Sequence, residues 1–173
     1  MTVQPEPVGP VVSAAHLADG AMPALSEIEF SLTVLGNGFQ RWIVRCMAAA
    51  GHPGLAAVDV LILHAVNHRD RDKTLSDLCM MLNIEDTHVV AYALKKLQGL
   101  GLVATGRRGK EKAVATTEAG ATACRRYREL REALLVRSIR DLGFDEAAVS
   151  DVARLLRALS GQYDQAARAA ASL

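Results

Sequence analysis

The chain has 173 residues, of which 50% are hydrophobic and only 4% aromatic, and its formal charge at pH 7 is +1. This length is enough for one buried core, and the longest apolar run, residues 55–66, is too short to span a bilayer. We therefore expect a soluble protein. Cys46, Cys79 and Cys124 are odd in number and widely spaced, which does not suggest a disulfide framework or a zinc ribbon, so a reducing cytoplasm is the expected compartment.

The N-terminal part combines a proline-rich arm with a first helix. Residues 1–24 contain four of the five prolines and predict a flexible arm. Ser26 and Glu29 have the spacing of a capping box, which predicts a helix over residues 25–50. Its apolar residues recur at steps of three and four and so form one stripe: Ile28, Leu32, Leu35 and Phe39.

Three further helices follow, each with a recognisable start. A nearly all-apolar helix over residues 55–67 should lie in the core. Thr74 and Asp77 form a second capping box that opens a short helix over residues 75–82. Asp86 is the expected N-cap of the next helix, residues 87–100.

The helix over residues 87–100 has two distinct faces. At 100° per residue, Val90, Ala93, Leu94 and Leu97 fall on one side, whereas the other side carries His88, Ala91, Tyr92 and Lys95. The first face is expected to pack against the core. The second is expected to be presented to a partner.

A basic hairpin and a long helix come next. Two short apolar segments, residues 102–105 and 113–116, flank the stretch GRRGKEK, as in a β-hairpin. Thr117 then starts a helix that runs to about residue 142, where Gly143 stops it. Residues 101–140 hold ten Lys or Arg and four Glu, so this region should attract polyanions, although the arginines of residues 125–140 equally fit a solvated face of Glu–Arg pairs.

The last helix begins after its N-cap Asp145 and carries a heptad seam. The apolar positions alternate steps of three and four along residues 149–170. Such a stripe can face the chain's own core, but its length and terminal position favour a second subunit. The seam includes Val149, Val152, Leu156, Leu159 and Tyr163.

Two short helices joined by a turn and followed by a cationic hairpin predict a winged helix–turn–helix. A helix fits the major groove, where polar side chains read base edges, and wing cations meet phosphate or the minor groove. Lys95, Lys96 and the wing cations would supply affinity for DNA. His88 and Tyr92 would supply selectivity among DNA sequences. The predicted DNA-binding residues are Thr87, His88, Ala91, Tyr92, Lys95, Lys96, Arg107, Arg108, Lys110 and Lys112.

The stretch LSDLCMMLNIEDTHVVAYALKKLQGLGLVATGRRGKEKAVATTEAG resembles the MarR family of bacterial transcription regulators. The resemblance implies a mainly α fold with a small β-hairpin wing, a recognition helix over residues 87–100 and a wing over residues 102–116. It also implies dimerisation through the N- and C-terminal helices, on the two apolar stripes named above. The implied organisation is an arm (1–24), a dimerisation helix (25–50), a winged helix domain (51–118) and C-terminal dimerisation helices (119–173).

The family resemblance further implies a repressor-like homodimer that binds a pseudo-palindromic operator and responds to a small-molecule effector. From the sequence itself we expect no membrane partner and no cofactor. One departure concerns the wing. Family wings usually carry an acidic residue shortly before a key arginine, whereas the tip here is GRRGK. Either Arg107 or Arg108 can take the part of that arginine.

Other functions have weaker sequence signals. His64 and His68 are four apart on a helix, a spacing suited to two metal ligands, but no nearby Cys, Asp or Glu completes a site. A redox-sensing cysteine is the second possibility, although each cysteine lies among apolar neighbours. No phosphate loop, nucleophile elbow or carboxylate pair indicates an enzyme. A winged helix adaptor that binds protein and not DNA is the main alternative.

Overall fold

The computed structural model describes residues 22–173, except for the side chain of residue 70. These residues form two compact units, the first ending at Tyr127 and the second running from Arg128 to Leu173. The predicted flexible arm, residues 1–24, lies almost entirely outside the described residues. None of the helices in the described range has the length and apolar character of a membrane span.

The first unit begins with helix α1, Pro23–Ala49. The predicted capping box of Ser26 and Glu29 is wrong, because the helix starts earlier, after Met22, and no side chain caps it. Pro23 occupies the first turn, where its fixed φ suits a helix and its missing N–H costs nothing. The buried residues of α1 all lie near its C-terminal end: Ile43, Cys46 and Met47.

Helix α2, Ala57–Asn67, forms the centre of the first unit. Asp59 lies in its first turn and is 2% exposed, and its Oδ2 accepts a 2.7 Å hydrogen bond from the backbone N of Ala56. This carboxylate therefore caps the helix, a role that the sequence did not suggest. The rest of the helix contributes apolar side chains to the core, and Val60, Ile62 and Leu63 are fully buried there.

A short strand, β1 (Lys73–Thr74), follows α2 and a 3-10 turn at His68–Asp70. Lys73 is buried, and its Nζ donates hydrogen bonds to the backbone oxygens of His68, at 2.6 Å, and Arg71. Burial is the main cause of a lowered pKa for this lysine, and the nearby Arg71 adds to it. The lysine thus satisfies carbonyl groups at the end of α2 and holds the turn in place.

The helix–turn–helix consists of α3, Leu75–Leu82, and α4, Thr87–Gly99. The wing consists of β2, Val103–Arg108, and β3, Glu111–Thr116, joined by a turn in which Gly109 has φ +65°. Strand β3 also pairs with β1, so the sheet has three antiparallel strands in the order β1-β3-β2. The sequence predicted the hairpin but missed the two-residue third strand.

Helix α5, Glu118–Arg131, starts against the end of the wing. Thr117 is its N-cap, since its Oγ1 accepts from the backbone N of Gly120 at 3.1 Å. The backbone N of Thr117 in turn donates to the carbonyl oxygen of Leu102 at 3.1 Å. Leu102 is fully buried, and strand β2 begins at Val103, one residue after the predicted start of the wing.

In the second unit the helix continues through a π-helical turn, Glu132–Val136, into α6, Arg137–Asp141, and ends before Gly143 at φ +81°. Helix α7, Glu146–Ala170, is capped by Asp145, whose Oδ1 accepts from the backbone N of Ala148 at 2.7 Å. The predicted stop and N-cap are both confirmed. No side chain of α7 is fully buried among the described residues, and its apolar seam is exposed at Val149, Val152 and Tyr163 and half-buried at Leu156 and Leu159.

Candidate nucleic-acid interface

Local polar groups define the ends of the two helices of the candidate interface. At the start of α3, Thr74 Oγ1 accepts from Asp77 N at 3.1 Å while Asp77 Oδ2 accepts from Thr74 N at 3.0 Å, which is the predicted capping box. Asn83, at φ 52°, ends α3 in the left-handed conformation. Asp86 then caps α4 by accepting from His88 N at 2.8 Å, as predicted.

Helix α4 buries one face and exposes the other. Val90, Ala93 and Leu97 are completely buried, as predicted for the packing face. Leu94, the fourth residue predicted for that face, is half-buried and lines the groove between α4 and the wing. The opposite face is exposed along its length, and the Tyr92 side chain on it is 73% exposed. This face carries Thr87, His88, Ala91, Tyr92 and Lys95, five of the residues predicted to bind DNA.

The wing places further cations beside this helix. Its tip and strands expose Arg107, Lys110 and Lys112, and Arg107 pairs with Lys112 across the hairpin. A groove of about 440 Å³ separates the wing from α4, with Lys95 on the helix side and Lys112 on the strand side. The hydroxyl of Thr105 donates to Gln98 Oε1 at 3.1 Å and so joins wing and helix along this groove.

Lys96 does not join the exposed face of α4. Its Nζ lies 2.6 Å from Asp59 Oδ2, on the capping carboxylate of α2, and donates a second hydrogen bond to the carbonyl oxygen of Gly54 at 2.9 Å. Lys95 and Lys96 are adjacent in sequence, yet their ammonium groups have different surroundings. The structure therefore separates Lys96 from the other predicted contacts.

Arg108 also has a partner within the chain. Its Nη1 lies 2.8 Å from Asp77 Oδ2 and donates to the carbonyl oxygen of Asp72 at 3.3 Å. The backbone amide of Thr74 is the main cause of a lowered pKa for the Asp77 carboxyl, and Arg108 contributes to the same shift. The start of α3 and the end of β2 are thus joined by the ion pair between Asp77 and Arg108.

The two histidines named as weak metal candidates have different surroundings. His64 packs edge-on against Tyr127, with ring centroids 4.5 Å apart, while His68 is exposed. No group of three or more possible metal ligands occurs within the described part of the chain. Cys46 is buried and lies with its Sγ 3.7 Å from the carbonyl oxygen of Tyr127, and burial raises its pKa, which disfavours the reactive thiolate.

Comparison with known proteins agrees with this geometry. Residues 55–120 match a protein family described as a winged helix DNA-binding domain. A search of curated proteins finds no match.

Solved structures of MarR regulators have a similar fold. A MarR regulator from Methanosarcina mazei is 18% identical, with a TM-score of 0.62 over 80% of this chain and 90% of that chain. CouR from Rhodococcus jostii, solved with bound p-coumaroyl-CoA, is 16% identical, with a TM-score of 0.65 over 82% of this chain and 95% of the CouR chain. A MarR/EmrR family regulator from Acinetobacter is 18% identical, with a TM-score of 0.61 over 84% and 99%. The predicted fold, mainly α with a small wing and flanking helices, is confirmed.

Proposed function

We propose that this chain, a winged helix protein with the fold of MarR-family regulators, is a DNA-binding transcription regulator. The observation that carries the proposal is the presence of exposed cations on both walls of one groove, which lies between α4 and the wing. The exposed face of α4 and the exposed cations of the wing border the same groove, which has Lys95 on one wall and Lys112 on the other. A nucleic-acid backbone is the polyanion that such a surface suits.

The proposed contacts follow from the position of each side chain. Helix α4 enters the major groove, where Tyr92 and His88 reach base edges and Ala91 allows close approach. Lys95 and Lys112 meet phosphates along the groove between helix and wing. Arg107 and Lys110, at the wing tip, contact the adjacent backbone or minor groove. Thr87, in the first turn of α4, offers a hydroxyl to a phosphate.

The exposed apolar residues support a homodimer. Helix α1 exposes Leu35 and Phe39, and helix α7 exposes Val149, Val152 and Tyr163. Heptad-spaced apolar residues of this kind are covered when a second helix packs on them. A twofold-symmetric dimer would present two copies of α4 to half-sites about one helical turn, roughly 10 base pairs, apart on a pseudo-palindromic operator.

Regulation by a small molecule is part of the proposal. CouR, whose fold is similar to that of this chain, was solved with a bound acyl-CoA, and a small-molecule effector is accordingly proposed here. An effector that binds one spacing of the two α4 helices better than another would shift the dimer between DNA-binding and non-binding states. We propose a repressor-like, cytoplasmic and non-enzymatic protein.

The direct test is binding of the purified protein to the DNA upstream of its own coding sequence. A scrambled duplex of the same composition is the control, and both are measured at two salt concentrations with the molar mass determined in solution. The proposal predicts tighter binding to the upstream DNA, by a dimer, that weakens as salt rises. Tyr92→Ala should change the preference between the two duplexes while leaving the molar mass unchanged.

The same experiment separates the main alternative. A folded dimer that binds neither duplex at low salt would favour an adaptor that binds protein. Equal binding to both duplexes would contradict sequence-specific regulation and leave only a general affinity for DNA.

A further inference from the structure

The interface region contains two pairs of neighbouring cations, Lys95 with Lys96 and Arg107 with Arg108. In each pair the first residue is exposed and contacts no acidic side chain among the described residues. The second residue of each pair is ion-paired to an aspartate on another element. Sequence alone gives all four residues the same apparent role.

The Lys96 pair links the recognition helix to the core. Asp59 is 2% exposed, and its carboxylate accepts from both the Ala56 backbone and the Lys96 ammonium. If Lys96 turned towards a phosphate, it would leave Asp59 buried without its cation and lose the Gly54 carbonyl as well. A buried charge without its partner is strongly unfavourable, so this lysine is held in place.

The Arg108 pair links the wing to the helix–turn–helix. Asp77 belongs to the capping box of α3, and Arg108 reaches it from the end of β2 while also donating to the Asp72 carbonyl. Arg107 and Arg108 follow each other in an extended strand and therefore point to opposite faces of the hairpin. Only one of the two can face the aspartate.

We propose that Lys96 and Arg108 are positioning residues, which fix the recognition helix and the wing relative to the core, and that Lys95 and Arg107 bind DNA phosphate. This inference rests on the proposed function. It divides four adjacent cations into two that release counterions on binding DNA and two whose charge is already balanced by Asp59 and Asp77.

Salt dependence distinguishes the two groups. Each phosphate contact contributes about 0.9 to the slope of log K against log salt. Lys95→Met and Arg107→Met should therefore each reduce the slope by about one. Lys96→Met and Arg108→Met should keep the wild-type slope and shift the whole line to weaker binding, because the geometry is impaired but no phosphate contact is lost. A role confined to stability would not move the line under conditions where the variants are fully folded.

Matched neighbours provide the controls, since each pair compares the same substitution at adjacent positions. A slope reduction for Lys96→Met or Arg108→Met equal to that of its neighbour would overturn the inference. If Lys96→Met fails to fold, the more exposed Arg108 pair decides the question, with Asp77→Asn as the second variant. In the plot of log K against log salt, Asp77→Asn should show the same parallel shift to weaker binding as Arg108→Met. A plot for Asp77→Asn that coincides with that of the wild type would contradict the positioning role of Arg108.

Failure of the proposed function gives a different result from failure of this inference. If the wild type binds no DNA, the proposed function is wrong, and thermal unfolding then tests the Lys96–Asp59 ion pair alone. In that case Lys96→Met should lower the Tm and Lys95→Met should not. Equal Tm values for these two variants would remove the positioning role.

Discussion

Gly120 lies where α5 starts against the end of the wing, and replacing it with alanine should destabilise the protein. A Cβ at this position would be 2.1 Å from the carbonyl oxygen of Leu102 and 2.7 Å from Cγ2 of Thr116. Normal contact distances begin near 3.4 Å, so the backbone must move by more than an ångström. That movement would also disturb the 3.1 Å hydrogen bond from Thr117 N to the same carbonyl oxygen.

The size of the effect follows from opposing contributions to the free energy of unfolding. Inserting a methyl into a packed site costs about 1–3 kcal/mol, and weakening a buried hydrogen bond costs about 1 kcal/mol more. Alanine in a helix contributes up to about 1 kcal/mol in the opposite direction. The expected net loss is about 1–3 kcal/mol, or a fall in Tm of roughly 3–10 °C for a chain of this size.

Urea denaturation followed by circular dichroism measures this loss. Gly161→Ala is the matched control, because a Cβ at Gly161, inside α7, meets no atom within 4 Å. The control should unfold at the same or a higher urea concentration than the wild type. A Gly120→Ala protein that is as stable as the wild type would refute the reasoning, since it would mean that the α5 start can move away from Leu102 without cost.

Three further variants test other parts of the structure. The pKa of Asp77 is lowered in the folded state, so the stabilising effect of its carboxylate is present above about pH 5 and is lost as the pH falls below about 4. The Asp77→Asn variant should therefore lose less stability between pH 7 and pH 3 than the wild type loses. An equal loss of stability in the two proteins would contradict this. Lys73→Met should lower the free energy of unfolding by about 1–3 kcal/mol, because two carbonyl groups lose their hydrogen-bond donor. A urea denaturation curve identical to that of the wild type would show that water replaces the lysine as donor. Val152→Asp, on the exposed seam of α7, should convert a dimer into a folded monomer by light scattering, whereas a persistent dimer would place the interface elsewhere.

Local signals predicted much of the fold because they act within one or two helical turns. The Thr74–Asp77 capping box, the Asp86 and Asp145 caps and the stop at Gly143 each depend on residues within four positions. The two faces of α4 also follow from spacing alone. The family resemblance added the assignment of the first and last helices to dimerisation, which their apolar spacing alone leaves ambiguous.

The missed features depend on contacts between distant parts of the chain. Strand β1 has two residues and exists because β3 pairs with it, so no periodic signal marks it. Lys96 meets Asp59 across 37 positions, and both residues have ordinary sequence contexts. Asp77 was recognised as a cap but not as the partner of Arg108, since spacing within α3 says nothing about the wing. The sequence thus located the cations but could not tell which were already paired.

The sequence pattern also did not predict the π-helical turn at Glu132–Val136. It interrupts a helix that the sequence predicted to run unbroken from Thr117 to about residue 142. The heptad seam of α7, in contrast, was read from spacing and lies exposed in the structure at Val149, Val152 and Tyr163. Its role in dimerisation stays a prediction.

The most direct test of the central claim is hydroxyl-radical footprinting of the protein on the DNA upstream of its own coding sequence. The account predicts two protected regions whose centres are about 10 base pairs apart, one for each α4 helix, with flanking protection from the wings. Protection should disappear as salt increases, and Arg107→Met should remove the flanking protection before the central one. A uniform pattern without two centred regions, from a protein shown to be a folded dimer, would contradict the account.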